Sequence, residues 1–319
     1  MITLRHILCP VDFSIFSHRA LQHAVRLARW FGSPLTVLYV YPVPVTPPPV
    51  FFDGVPGQFG EPYPAPAVSP ERVHEDMLAE LTAFAASVDT SGVRLNVHAR
   101  AGTVVRGILD EAAGENTDLI VIGTHGHSGF DRWVLGSVTE KILRKAQCAV
   151  LTVPPPAGEP GADTVAMFKR ILCPIDFSEP SLKALEYALA LAKEADADLL
   201  LMHVIEGLGD PPHWQQPTDS AVLEYVRMSK ENALARLRQI VPADAQTWCR
   251  PRQILAIGKP HAQILRVVQE EDVHLIVMGV HGRNPIDRLF FGSTTNHLVR
   301  ASTCPVLTLK VYPVPWPLL

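Results

Sequence analysis

An internal repeat constrains this chain more than any other feature. ILCPVDFS at 7–14 recurs as ILCPIDFS at 171–178, 164 residues on. GTHGHSGFDRWVLGS at 123–137 recurs as GVHGRNPIDRLFFGS at 279–293, and CAVLTV at 148–153 recurs as CPVLTL at 304–309, both at a spacing of 156. Such a repeat marks a duplicated folding unit, so the two halves share one fold. Proline accounts for the eight residues lost between the two spacings. Ten of the 29 prolines fall between Pro42 and Pro70, which marks an insertion in the first half. Proline removes a backbone donor and fixes φ, so this stretch, PPPAGEP at 154–160 and the terminal VYPVPWPLL read as loop, linker and tail. The expected organisation is a first domain at 1–154, with the insertion at about 42–70, a linker at 155–167, a second domain at 168–312 and a tail at 313–319.

Within each half, short apolar runs alternate with helical periodicity. Ile7, Leu8, Cys9, Pro10 and Val11 form a run that ends at Asp12, as expected of a strand buried on both faces. Ala20, Leu21, Ala24, Leu27 and Ala28 then follow a 3.6-residue period, matched by Ala184, Leu185, Ala188, Leu191 and Ala192, and Gly32 is a helix stop. Second strands are expected at Leu35–Val40 and Leu199–Ile205, and a second helix from the cap pair Ser69–Pro70, with Val73, Met77, Leu81 and Phe84 on one side. A third strand at Val93–Ala99, a helix over about 103–114, a fourth strand at Leu119–Ile122, a helix from Ser137 to about Lys145 and a fifth strand at Ala149–Val153 complete the unit. This alternation predicts an α/β fold of two tandem doubly wound domains. Each is a five-stranded parallel sheet with helices on both faces, Rossmann-like. Ligands of such sheets bind beyond the carboxyl ends of the strands, where Asp12 and Gly123 would share one crevice.

Composition excludes several classes of function. Apolar residues make up 47% of the chain, enough for a real core, and the net charge of -4 gives no basic face for nucleic acid. Five scattered cysteines with no CxxC pair form neither a disulfide framework nor a zinc ribbon. No apolar run approaches the ~18 residues of a membrane span, and MITLRHILCPVDFS does not read as a signal peptide. A reducing, cytoplasmic setting is expected.

The chemistry concentrates in the repeated glycine loop, Gly123-x2-Gly126-x9-Gly136-Ser137 and Gly279-x2-Gly282-x9-Gly292-Ser293. Gly123 and Gly126 flank a strand end, where a missing Cβ lets a phosphate approach the backbone. Gly136-Ser137 opens a helix whose unpaired N–H groups suit an anion, and Ser137 either caps that helix or donates to a phosphate oxygen. The competing reading makes these glycines simple turn residues. Neither GxxxxGK[ST] nor a GxGxxG after the first strand is present, so the loop is not one of the two familiar phosphate motifs.

The strand ending in Asp12, the G-x2-G-x9-G-[ST] loop and the VLTV strand together resemble the universal stress protein family in its tandem form, of the type that binds ATP. The resemblance covers both halves but not the proline insertion, linker or tail. It implies an adenine-nucleotide fold and one ATP site per half, with magnesium accompanying the phosphates. The first site would comprise Pro10, Val11, Asp12, Val40, Gly123, Gly126, His127, Gly136, Ser137 and Val138. The second would comprise Pro174, Ile175, Asp176, Val204, Gly279, Gly282, Arg283, Gly292, Ser293 and Thr294. The aspartates would meet the ribose hydroxyls or adenine edge, the backbones at Val11, Ile175, Val40 and Val204 would hold adenine, and the glycines and serines would cradle phosphate. His127 stands where the second half has Arg283, which weakens the first site or makes it pH-sensitive. The resemblance further implies a stress-response regulator acting through occupancy. It implies an intramolecular pseudo-dimer with Ala149–Val153 beside Pro305–Leu309, and it allows a homodimer and a protein partner that the sequence does not identify.

Two other readings stand beside it: a slow ATPase or autophosphorylating enzyme, and a partner-binding protein whose sites stay empty. Neither a lysine for a γ-phosphate nor an obvious base accompanies the loop. Cys9, Cys173, Cys148 and Cys304 are read as core filling rather than redox centres. One histidine per loop, His125 and His281, is too few for a metal site. Gly136→Val/Gly292→Val is expected to remove binding without unfolding the chain.

Overall fold

The computed structural model describes residues 4–42, 69–125, 135–155, 168–206, 220–243, 245, 249, 251–280 and 292–310. The proline insertion, the linker, the centres of both glycine loops and the tail lie outside these residues. Among the described residues ten strands form one sheet in the order β3-β2-β1-β4-β5-β10-β9-β6-β7-β8. In the first half these are β1 (Ile7–Pro10), β2 (Leu35–Tyr41), β3 (Leu95–Ala101), β4 (Leu119–Gly123) and β5 (Ala149–Val153). In the second they are β6 (Arg170–Pro174), β7 (Asp198–Ile205), β8 (Arg252–Ile257), β9 (Leu275–Gly279) and β10 (Val306–Leu309). Pairing within each half is parallel throughout, as the βαβ alternation predicts.

Between the strands lie α1 (Ile15–Phe31), α2 (Pro70–Ala86), α3 (Val104–Gly114), α4 (Ser137–Lys145), α5 (Glu179–Ala195), α6 (Ser220–Gln239), α7 (Pro260–Glu270) and α8 (Ser293–Ala301). The alternation of strand side chains sorts the apolar residues into two layers. Ile7, Cys9, Leu119 and Val121 lie in the layer of α1 and α2, which continues into that of α5 and α6, while Leu8, Ile120 and Ile122 lie in the layer of α3 and α4, which continues into that of α7 and α8. The alanine–leucine stripes of α1 and α5 are buried as their spacing predicts. Their small residues let each helix lie close on the sheet, and each fully buried leucine contributes about 1.5–3 kcal/mol. The α2 stripe is shallower. Leu81 is buried, but Val73, Met77 and Phe84 are half-buried, because α2 covers the outer strands β2 and β3.

Local signals place most boundaries. Gly32 ends α1 at φ 65°, and Ser69 caps α2 ahead of Pro70. The third strand is corrected from Val93–Ala99 to Leu95–Ala101. A turn holds Val93, whose N–H donates to Thr90 O at 3.1 Å, with Gly92 at φ 76°, so pairing starts two residues later.

The two halves join strand to strand. β5 and β10 pair antiparallel, with Leu151 opposite Leu307 at the centre. Thr152 Oγ1 donates to Val306 O at 3.2 Å and Thr308 Oγ1 to Val150 O at 3.1 Å, a reciprocal pair about a pseudo-two-fold axis. Both core layers run unbroken across this junction, through Leu151 and Leu307 on one face and Val150 and Val306 on the other.

Candidate functional site

Each half turns sharply after its first strand. Phe13 and Phe177 adopt left-handed backbone, φ 62° and 63°, a conformation costing about 1–3 kcal/mol for such residues. Aromatic packing holds both in place. Phe13 lies 4.5 Å from Tyr39 and 5.4 Å from Phe84, and Phe177 lies 4.8 Å from His203 with the Arg236 guanidinium 3.8 Å above its ring. The turn folds the aspartate back onto the helix start. Asp12 Oδ1 accepts from the Ser14 N–H at 3.1 Å and hydroxyl at 2.5 Å, and Asp176 Oδ1 accepts from the Ser178 N–H at 3.0 Å and hydroxyl at 2.5 Å. Ser14 and Ser178 in turn cap α1 and α5. The two aspartates therefore organise the entry into a helix, a role the sequence reading had not assigned them.

The glycines also have a structural duty. A β-carbon on Gly279 would lie 2.6 Å from Pro180, and one on Gly123 would lie 3.1 Å from the Phe16 carbonyl oxygen. Their bare faces are turned to the first turns of α5 and α1, so close helix–strand approach by itself calls for the missing side chain. Likewise a β-carbon on Gly292 would meet Val280 O at 2.8 Å, and one on Gly136 would meet Thr124 O at 3.3 Å. Gly292→Val is thus not the neutral probe that the sequence suggests, since the contact is with backbone.

Gly136 and Gly292, not Ser137 and Ser293, are the N-caps of α4 and α8, which corrects the capping role considered for Ser137. Neither helix has a side-chain cap hydrogen bond, whereas Ser14, Ser69 and Ser178 each supply one to their helices. The leading N–H groups of α4 and α8, at the positive ends of the helix dipoles, thus receive no hydrogen bond from a cap side chain.

In the second half these parts border one cleft of about 560 Å³, within the usual range for small-molecule sites. Pro174, Ile175 and Asp176 come from the end of β6, Val204 from β7, Gly279 from β9, and Gly292, Ser293 and Thr294 from the start of α8. Met202, Ile264 and Met278 add apolar wall, and His203, Glu206 and Thr295 polar groups. Asp176 and Gly279 thus share a crevice at the carboxyl ends of the strands. His203, which the sequence reading had not singled out, has Nδ1 2.7 Å from Ile175 O. A carbonyl only accepts, so Nδ1 carries the proton.

The first half presents the same constellation on β1, β2, β4 and α4. Val11 and Val40 are buried, Asp12 is half-buried, and Gly123, Gly136, Ser137 and Val138 follow at the end of β4 and the start of α4. Tyr39 replaces His203, and burial, then Glu80 and Asp12, push its phenol up, which keeps it a neutral donor. His125 is buried beside the loop, with Nδ1 2.9 Å from Thr124 Oγ1 and, among the described residues, no hydrogen-bond partner at Nε2. Gly126, His127, Gly282, Arg283 and His281 lie outside the described residues. The cysteines behave as small core residues. Cys9, Cys173 and Cys304 are buried, and burial pushes the Cys148 thiol up to about 12 and that of Cys304 to about 11. Among the described residues no helix is long and apolar enough to cross a membrane.

Known proteins fit this architecture. The profile of the Universal stress protein family matches residues 3–154 and again 167–310. A universal stress protein of Mycolicibacterium smegmatis is 26% identical over 312 residues, covering 95% of this chain and 96% of its own length. Universal stress protein YxiE of Bacillus subtilis, 30% identical over 154 residues, matches 45% of this chain with 100% of its own. The crystal structure of a universal stress protein from Archaeoglobus fulgidus superposes with a TM-score of 0.61 at 23% identity over 97% of both chains, which shows a shared fold. Matched twice by one family profile, and paired along a single sheet, the chain belongs to the universal stress protein family as a tandem of two such domains.

Proposed function

We propose that each half binds an adenine nucleotide, ATP in the first instance, and that the protein works as a regulatory module whose contacts change with occupancy. The observation that carries this reading is the second-half cleft. There a carboxylate at one strand end, apolar walls and an α-helix opening on a glycine converge on one cavity of about 560 Å³. An apolar slot takes a flat ring, a carboxylate accepts hydrogen bonds from ribose hydroxyls, and uncapped N–H groups donate to phosphate oxygens. Asp176 and Asp12 take the ribose in this reading, Val204 and Val40 line the base, and the starts of α8 and α4 receive the phosphates together with the magnesium they carry.

Two measurements test this. Purified protein is denatured and the supernatant analysed for co-bound nucleotide, and calorimetry follows Mg-ATP binding to stripped protein. Two equivalents are expected. Asp12→Asn and Asp176→Asn each keep an oxygen for the serine while losing charge, so each should weaken its own site at least tenfold, about 1.4 kcal/mol. Failure of ATP, ADP and AMP alike to bind would overturn the proposal. Multiple turnovers per minute that vanish in the double variant would make the protein an enzyme instead.

A further inference from the structure

We propose that His98, Glu111 and Glu115 form a binding site for one borderline divalent transition metal ion, zinc above all, on the outer face of the first half. His98 stands on β3, at one edge of the ten-stranded sheet, and Glu111 and Glu115 stand four residues apart on and just after α3. One ligand atom from each lies within 4.8 Å of the others. Glu111 is already held in position: Oε1 is 2.6 Å from His98 Nδ1, and Arg100 Nη1 donates to the other oxygen, Oε2, at 3.4 Å. Arg100 also reaches Asp110 at 3.7 Å, so the guanidinium keeps a partner when a metal draws on Glu111.

The second half argues against an ordinary stabilising contact. Register and helix spacing place Ile254 at the position of His98 and Val267 at that of Glu111. Both belong to the apolar layer beneath α7. The same fold is therefore satisfied at this place by two hydrocarbon side chains in the second half, where the first half carries two metal-binding groups. Glu115 has a counterpart, Glu271, which is paired with Arg252 instead. An imidazole with two carboxylates is a ligand set suited to zinc and its neighbours rather than to magnesium or calcium, which prefer oxygen alone. Tetrahedral zinc wants ligands about 2.0–2.2 Å away, and the exposed Glu115 side chain is free to close the remaining gap. Buried His6 is not a fourth ligand, because Thr117 and Thr36 occupy its two ring nitrogens at 2.9 Å each. Water completes the sphere. Bound metal would clamp the edge strand β3 to α3.

The test compares EDTA-treated full-length protein with His98→Ile/Glu111→Val, which carries the second half's own packing and so is expected to fold. Zinc binding is followed by equilibrium dialysis and thermal shift. Wild type should bind one equivalent more than the double variant and gain a zinc-dependent rise in Tm that the variant lacks. Glu115→Gln should weaken that equivalent at least tenfold, and millimolar magnesium should not displace it. Equal zinc stoichiometry in wild type and double variant, or full retention of affinity in Glu115→Gln, would overturn the proposal. Neither result bears on nucleotide binding, which calorimetry reads separately.

Discussion

The two halves are one design built twice, and they differ most where the fold is indifferent. Both keep the Asp-Phe-Ser turn with its left-handed phenylalanine, the glycine at the fourth strand's end and the glycine cap of the last helix. They part company beside these features. Tyr39 becomes His203, His23 becomes Tyr187, and the polar pair His98–Glu111 becomes Ile254 and Val267. The shared parts meet backbone and leave no room for variation. The divergent parts are side chains whose neighbours changed with them.

This contrast is sharpest at the glycines. A methyl group at Gly279 collides with the Pro180 backbone at 2.6 Å, whereas at Gly123 it stands 3.1 Å from a carbonyl. Gly279→Ala should therefore cost about 3 kcal/mol and Gly123→Ala about 1 kcal/mol, read by urea unfolding. Equal costs would mean that the halves pack their first helices alike.

Acid should act mainly through the first half. Burial, with Arg19 and Arg26 adding to it, lowers His23 to about 3, and burial lowers His6 as well. A histidine unfolded near 6.5 but neutral when folded takes up a proton only on unfolding. Stability is therefore full above that range and falls as pH drops from about 6.5 toward 3, by about 1.4 kcal/mol per pH unit for His23. His23→Tyr, the residue of the second half, should flatten that slope in pH-dependent melts. An unchanged slope would place the acid sensitivity elsewhere.

The smallest effect belongs to the bridge between the halves. Arg300 Nη2 lies 3.4 Å from Glu140 Oε2, both partly exposed, so Glu140→Gln should cost no more than about 0.5 kcal/mol. A larger loss would show that the β5–β10 pairing leans on this ion pair rather than on its own hydrogen bonds and the buried Leu151 and Leu307.

Much of this was legible in the amino-acid order. The repeat, the buried-strand runs and the alanine–leucine stripes define two doubly wound units, because burial on both faces leaves an apolar run that solvent-facing strands lack. Part of the second cleft's lining could be named as well: Asp176, Gly279, Gly292 and Ser293 from strand-end and helix-start signals, and Pro174, Ile175, Val204 and Thr294 through the family resemblance, but not Met202, His203, Glu206, Ile264 or Met278. Space decided the rest. No local pattern announces that Phe13 and Phe177 turn left-handed, that Asp12 and Asp176 fasten a helix start, or that a β-carbon on Gly279 would meet Pro180. Those facts arise when distant segments are pressed together. His98, Glu111 and Glu115 make the same point: the strand brings one and the helix the other two, and only packing across the sheet puts them within reach of a single ion.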